Sequence, residues 1–116
     1  MTASPLDPRQ LARDADAPLA VMRILFSVAD NDPTLVRLIR GGVIDQETMR
    51  LRKAVVCVAK WHTSASLPQI GRALARDHSS VQRLIGDAKA LYAEDSQFRA
   101  LCDRVAQACA GSRRAA

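Results

Sequence analysis

The sequence predicts an all-α fold, a helix-turn-helix bundle of about five to six helices. Three observations predict it. Apolar residues make up 48% of the chain but aromatics only 3%, and this Ala-, Leu- and Val-rich mixture favours helices packed closely through small side chains over strands. Apolar positions recur at helical spacing along most of the chain. Helix-start signals, Asp-Pro pairs and a Ser-x-x-Gln box, stand just ahead of those stretches.

Residues 1–6 read as a loose arm. Asp7-Pro8 is a cap followed by proline and starts a short helical stretch to about Asp14. Asp16 to Pro18 repeats the device and opens a stronger helix, 18–29. Its apolar residues Leu19, Val21, Met22, Ile24, Leu25, Phe26 and Val28 run almost all round, which places it either at the centre of the core or in a partner interface. Asp30 to Pro33 is a turn with a further cap. Leu35, Val36, Leu38 and Ile39 form the next short helix, which Gly41-Gly42 ends. Asp45 caps a long helix over 46–62, with Arg50, Arg52 and Lys53 in its first half and a core-facing run from Ala54 to Ala59. Lys60, Trp61 and His62 close it; Trp61 is expected in the core and His62 as a helix-end residue favoured by the dipole.

The stretch 66–92 organises the rest. Ser66 and Gln69 form a capping box, and Leu67, Ile70 and Leu74 give the first helix one buried face. Asp77 caps the second helix, whose stripe is Val81, Leu84, Ile85, Ala88 and Leu91 or Tyr92. Asp77, His78, Ser79, Gln82 and Arg83 are left facing outward. Two short helices, a tight corner and a polar start to the second describe a helix-turn-helix. Glu94-Asp95-Ser96 caps a last helix to about Ala110, striped by Phe98, Leu101, Cys102, Val105 and Cys109. Residues 111–116, with Arg113 and Arg114, are expected as a disordered tail. The organisation expected is an N-terminal helical segment over 1–45 that braces the fold or docks a partner, then the helix-turn-helix region over 46–110.

A length of 116 residues suits one domain. The longest apolar run, Leu19 to Val28, is interrupted by Arg23 and falls far short of a membrane span. The N-terminus lacks the basic start and apolar stretch of a secretory signal. Cys57, Cys102 and Cys109 lack metal-type spacing and read as small buried hydrophobes in a reduced, cytoplasmic setting. Net charge is +5 and uneven: residues 1–45 carry −1 and residues 46–116 carry +6. From Arg50 to Arg83, seven basic residues (Arg50, Arg52, Lys53, Lys60, Arg72, Arg76, Arg83) face one acid, Asp77. That excess coincides with the helix-turn-helix and points to a polyanion.

Catalytic signatures are absent from the sequence. The glycines fit no phosphate loop, and His62 and His78 have no partner at metal spacing. Asp77-His78-Ser79 holds the residue types of a hydrolytic triad, but adjacent residues cannot converge on one reacting atom. No enzyme, cofactor or metal is expected. For duplex DNA the same residues serve better. Helix-start N–H groups and the dipole favour phosphate. His78, Ser79 and Ser80 can donate to base edges or phosphates, and Asp77 serves either as N-cap alone or also as acceptor from a cytosine amino group.

RLRKAVVCVAK…SLPQIGRALARDHSSV resembles the C-terminal DNA-binding domain (domain IV) of DnaA, the bacterial replication initiator. That family's signature runs Arg-Pro-Arg-Gln, a helix, a Lys, Ser-Leu-Pro-Glu-Ile-Gly, then Gly-Gly-Arg-Asp-His-Thr-Thr-Val. The resemblance covers about residues 50–92. It implies a DnaA domain IV-like fold in which Arg52 enters the minor groove and Lys60 contacts phosphate. Leu67 and Pro68 would touch phosphate or a thymine methyl, and Asp77, His78 and Ser79 would read bases in the major groove with Ser80 beside them. This chain departs from the pattern in three places. Ala75 alone stands for the Gly-Gly pair, Arg83 replaces a His, and two serines replace the threonines. The family's ATPase domain has no counterpart here. Similar modules without that motor occur in alphaproteobacterial gene-transfer-agent and phage-type activators.

The function expected is a sequence-specific double-stranded DNA-binding regulator, transcriptional in role and nucleoid-associated. Arg50, Arg52 and Lys53 would meet the backbone or minor groove, Arg76 and Arg83 would flank the reading helix, and residues 18–40 would dock RNA polymerase or a second copy. The alternatives are a small-terminase-like nucleoprotein-assembly adaptor, a replication-control protein competing for initiator sites, or a protein-interaction module working through 18–29.

Overall fold

Five aspartates and one serine start six of the seven helices. A computed structural model of the chain describes residues 6–115, with side chains described through Ala110. The helices are α1 (Pro8–Ala15), α2 (Leu19–Val28), α3 (Pro33–Arg40), α4 (Gln46–His62), α5 (Leu67–Leu74), α6 (His78–Glu94) and α7 (Ser96–Ala115). There is no strand among the described residues. The chain is all-α, with one helix more than the upper end of the expected count; the short α1 and α3 are full two-turn helices because each has an Asp cap and a first-turn proline. Asp7, Asp32, Asp45, Asp77 and Asp95 cap α1, α3, α4, α6 and α7 through N–H groups two or three residues on. Ser66 and Gln69 form the expected capping box on α5.

α2 is central. Val21, Met22, Ile24, Leu25, Phe26 and Val28 are all buried, and the helix packs against α1, α4, α5 and α7. Residues 6–40 therefore belong to the same core as Ala54–Ala59, Ile70, Leu74, Val81 and Phe98. The N-terminal segment thus packs into the common core, with the apolar residues of α2 turned inward. Residues 1–5 of the expected loose arm lie outside the described residues. The tail expected to be disordered from Gly111 is instead helical to Ala115, because α7 continues through it. No helix among the described residues is long and apolar enough to cross a membrane.

The corner between α5 and α6 is a Schellman turn. The Arg76 N–H donates to the Gly71 carbonyl at 2.8 Å and the Ala75 N–H to the Arg72 carbonyl at 3.3 Å. Ala75 takes the left-handed conformation, φ 57°, where alanine is disfavoured by roughly 1–2 kcal/mol. Elsewhere Asp16, Asp30 and Asn31 fill left-handed positions, residue types that tolerate them. Gly71 is required for a different reason: a Cβ there would run into the Arg76 carbonyl oxygen. The corner is thus closed from inside by a glycine and from outside by a strained alanine.

Candidate nucleic-acid interface

The first turn of α6 stands outward. Asp77, His78, Ser79, Gln82 and Arg83 are exposed, and Ser80 is half-buried. Val81 and Leu84 anchor the opposite face in the core. Asp77 accepts the Ser80 N–H at 2.8 Å, and this bond, with smaller help from nearby His78 and Arg83, holds its carboxyl below the usual carboxylate range. It is ionised at neutral pH, and the neighbouring Ser80 hydroxyl adds to that stabilisation. The backbone N–H groups of His78 and Ser79 find no acceptor in the fold among the described residues, as expected at a helix start, and remain available to a phosphate. His78 and Ser79 make no side-chain hydrogen bond among the described residues, so Asp77-His78-Ser79 is not wired as a proton relay.

The basic residues divide sharply. Arg52, expected in the minor groove, is fully buried, at 0% exposure. Its Nε donates to the Ile39 carbonyl at 2.8 Å, its Nη2 to those of Leu38 (2.9 Å) and Gly41 (2.8 Å), and its Nη1 meets the Met49 sulfur. It closes the C-terminal end of α3, and burial depresses its pKa, with nearby Arg76 adding to the effect. In this fold Arg52 is a structural clamp and cannot reach a groove. A signal for this lay in the sequence: Thr48, Arg52, Val55, Val56 and Ala59 share one helical face, and all five are buried.

Arg50 points the other way. It pairs with Asp95 at 2.8 Å and lies over the Phe98 ring, 5.5 Å from its centroid. Asp95 follows the last turn of α6, about 27 Å of helix away from Asp77, so Arg50 and Arg52 do not form the joint backbone contact expected of them. Arg76 is half-buried and donates to the Gly41 carbonyl at 2.6 Å. Arg40, not singled out from the sequence, binds the Ala73 carbonyl at 2.7 Å and closes α5. Arg72 binds the Asp16 carbonyl at 2.6 Å.

Lys53 is half-buried, and Lys60 and Arg83 are exposed; none has a hydrogen bond or ion pair among the described residues. Pro68 is exposed and Leu67 half-buried at the start of α5. The chain that Gly41 leads into carries an exposed loop, with Ile44 81% accessible just ahead of the Asp45 cap. Trp61 is a correction: it is 48% exposed, because the last turn of α4 carries its ring to the rim of a cleft rather than into the core.

Comparison with known proteins adds no identification: no family model, no curated protein and no solved structure matches the chain.

Proposed function

We propose that this chain is a non-enzymatic, sequence-specific duplex-DNA-binding regulator, acting on transcription, that reads the major groove with the first turn of α6. The observation carrying this reading is the open first turn: Asp77, His78, Ser79 and Arg83 are exposed together on a helix whose other face is fixed in the core. Unused N–H groups at the same point favour phosphate. The resemblance to DnaA domain IV supports the same roles at Lys60, Leu67, Pro68, Asp77, His78, Ser79 and Ser80; the groove role it implies for Arg52 does not fit that side chain's burial. Against the protein-interaction alternative, α2, the helix offered for it, has its apolar side inside the fold.

The test is selection of bound duplexes from a random pool, then titration of the selected site and a scrambled duplex. His78→Ala is expected to weaken the selected site by about 1–3 kcal/mol and leave the scrambled one unchanged. Lys60→Ala is expected to weaken both alike. Equal losses on both duplexes for His78→Ala would remove base reading.

A further inference from the structure

Away from the α6 start, an open cleft of about 440 Å³ lies between α4, α6 and the middle of α7. Its floor is Cys57, Val58 and Cys102; its walls are Trp61 and Tyr92; Lys89, His62 and Asp103 stand at its rim. The volume falls within the range of small-molecule sites, and an apolar floor with a few convergent polar groups is their usual make-up. The two floor thiols are coupled: contact with Cys57, reinforced by burial, pushes the Cys102 thiol up, and the same contact lowers that of Cys57.

The polar rim favours one sign of ligand. Asp103 accepts the Tyr92 hydroxyl at 2.8 Å and keeps its negative charge, but two cations, Lys89 and Arg99, stand beside the same tyrosine and outnumber it. Arg99 lies against the Tyr92 ring, 5.7 Å from the centroid, while bonding the Tyr92 and Ala93 carbonyls at 2.9 Å. Lys89 and His62 are exposed and have no hydrogen bond or ion pair among the described residues. Two aromatic walls and two unengaged donors therefore face one apolar hollow.

We propose that this cleft binds a flat, two-ring aromatic acid, its rings between Trp61 and Tyr92 and its anionic group toward Lys89 and His62. The large exposed face of Trp61 is then the contact surface of the ligand. This site is independent of DNA binding.

Trp61 is the single tryptophan, so its indole N–H gives one resonance that reports the cleft directly. The full chain is titrated with 2-naphthoate and with neutral 2-naphthamide, following that resonance. Saturable shifts of the Trp61 signal with 2-naphthoate, and weaker binding of 2-naphthamide, support the site. Lys89→Met, which keeps the stem and removes the charge, is expected to weaken 2-naphthoate by about fivefold, the size of one screened charge contact, and leave 2-naphthamide unchanged. Ala93→Trp, a change at an exposed rim position, fills the cleft and is expected to abolish binding of both. An unmoved Trp61 signal, equal binding of the two probes, or undiminished binding of 2-naphthoate by either variant would overturn the proposal.

Discussion

Arg52 shows how far one side chain's role depends on what lies behind it. Four contacts hold it: three carbonyls near the end of α3 and the Met49 sulfur. Hydrogen bonds from a charged donor contribute about 1.5–3 kcal/mol each, and losing the donor leaves the buried carbonyls unpaired. Arg52→Ala is therefore expected to lower unfolding stability by about 3–5 kcal/mol. Arg52→Lys restores only part of this, since an ammonium on a flexible stem cannot fork across three acceptors. Urea denaturation checks both variants. An arginine that acted in a DNA groove would give the opposite pattern, unchanged midpoints with weaker DNA binding. The family resemblance and the burial pattern of α4 thus make competing claims on this residue, and the valines beside it at helical spacing decide the matter for burial.

At the scale of elements the two ends of each helix are closed by different chemistry, and this explains what was legible. N-termini are closed locally: an Asp or Ser accepts from an N–H two or three residues ahead, so every capped start was readable in the sequence. Several C-termini are closed from far away. Arg52 and Arg76 serve α3, Arg40 serves α5, and Arg72 serves the end of α1, across separations of 11 to 56 residues. No local pattern announces such partners, so Arg72 and Arg76 read as surface charge; for Arg52 the apolar face signals burial but not the carbonyls it binds. The open first turn of α6 was legible because its cap and its stripe are both local; the clamp at Arg52 and the exposure of Trp61 depend on tertiary packing.

The α6–α7 junction gives a pH test of these caps. The Arg50 guanidinium, then the Phe98 N–H, holds the Asp95 carboxyl down to about 2, against an unfolded value of about 3.9. A depressed carboxylate adds stability above its unfolded pKa and loses it as pH falls through the folded one. Asp45 and Asp77, lowered mainly by the Thr48 and Ser80 N–H groups, act in the same direction. Urea midpoints are expected to fall between about pH 4 and pH 2. Asp95→Asn is expected to be less stable at pH 5 and to lose less on acidification. A variant whose midpoints fall in parallel with the parent's would place the acid sensitivity elsewhere.

For the whole molecule, the question is how much of the +6 carried by residues 46–116 can act on a polyanion. Hydrogen bonds to carbonyls leave the charge of Arg52, Arg72 and Arg76 in place, so these residues still add to the attracting field. The Arg52 nitrogens are all held inside the fold, while Arg72 and Arg76 each hold one nitrogen on a carbonyl, which competes with a phosphate for them. Among the seven basic residues from Arg50 to Arg83, only Lys53, Lys60 and Arg83 have no partner among the described residues. Three phosphate contacts predict a slope near −3 for log K against log salt, where all seven would give about −6. Fluorescence anisotropy of a labelled duplex over a range of salt concentrations measures it. A slope near zero would remove the DNA-binding proposal. One near −6 would keep it but require the arginine clamps to open on binding, so that the fold loosens where it meets DNA. A slope near −3, halved or more by combining Lys60→Ala with Arg83→Ala, would assign the contact to the cations that the fold leaves free.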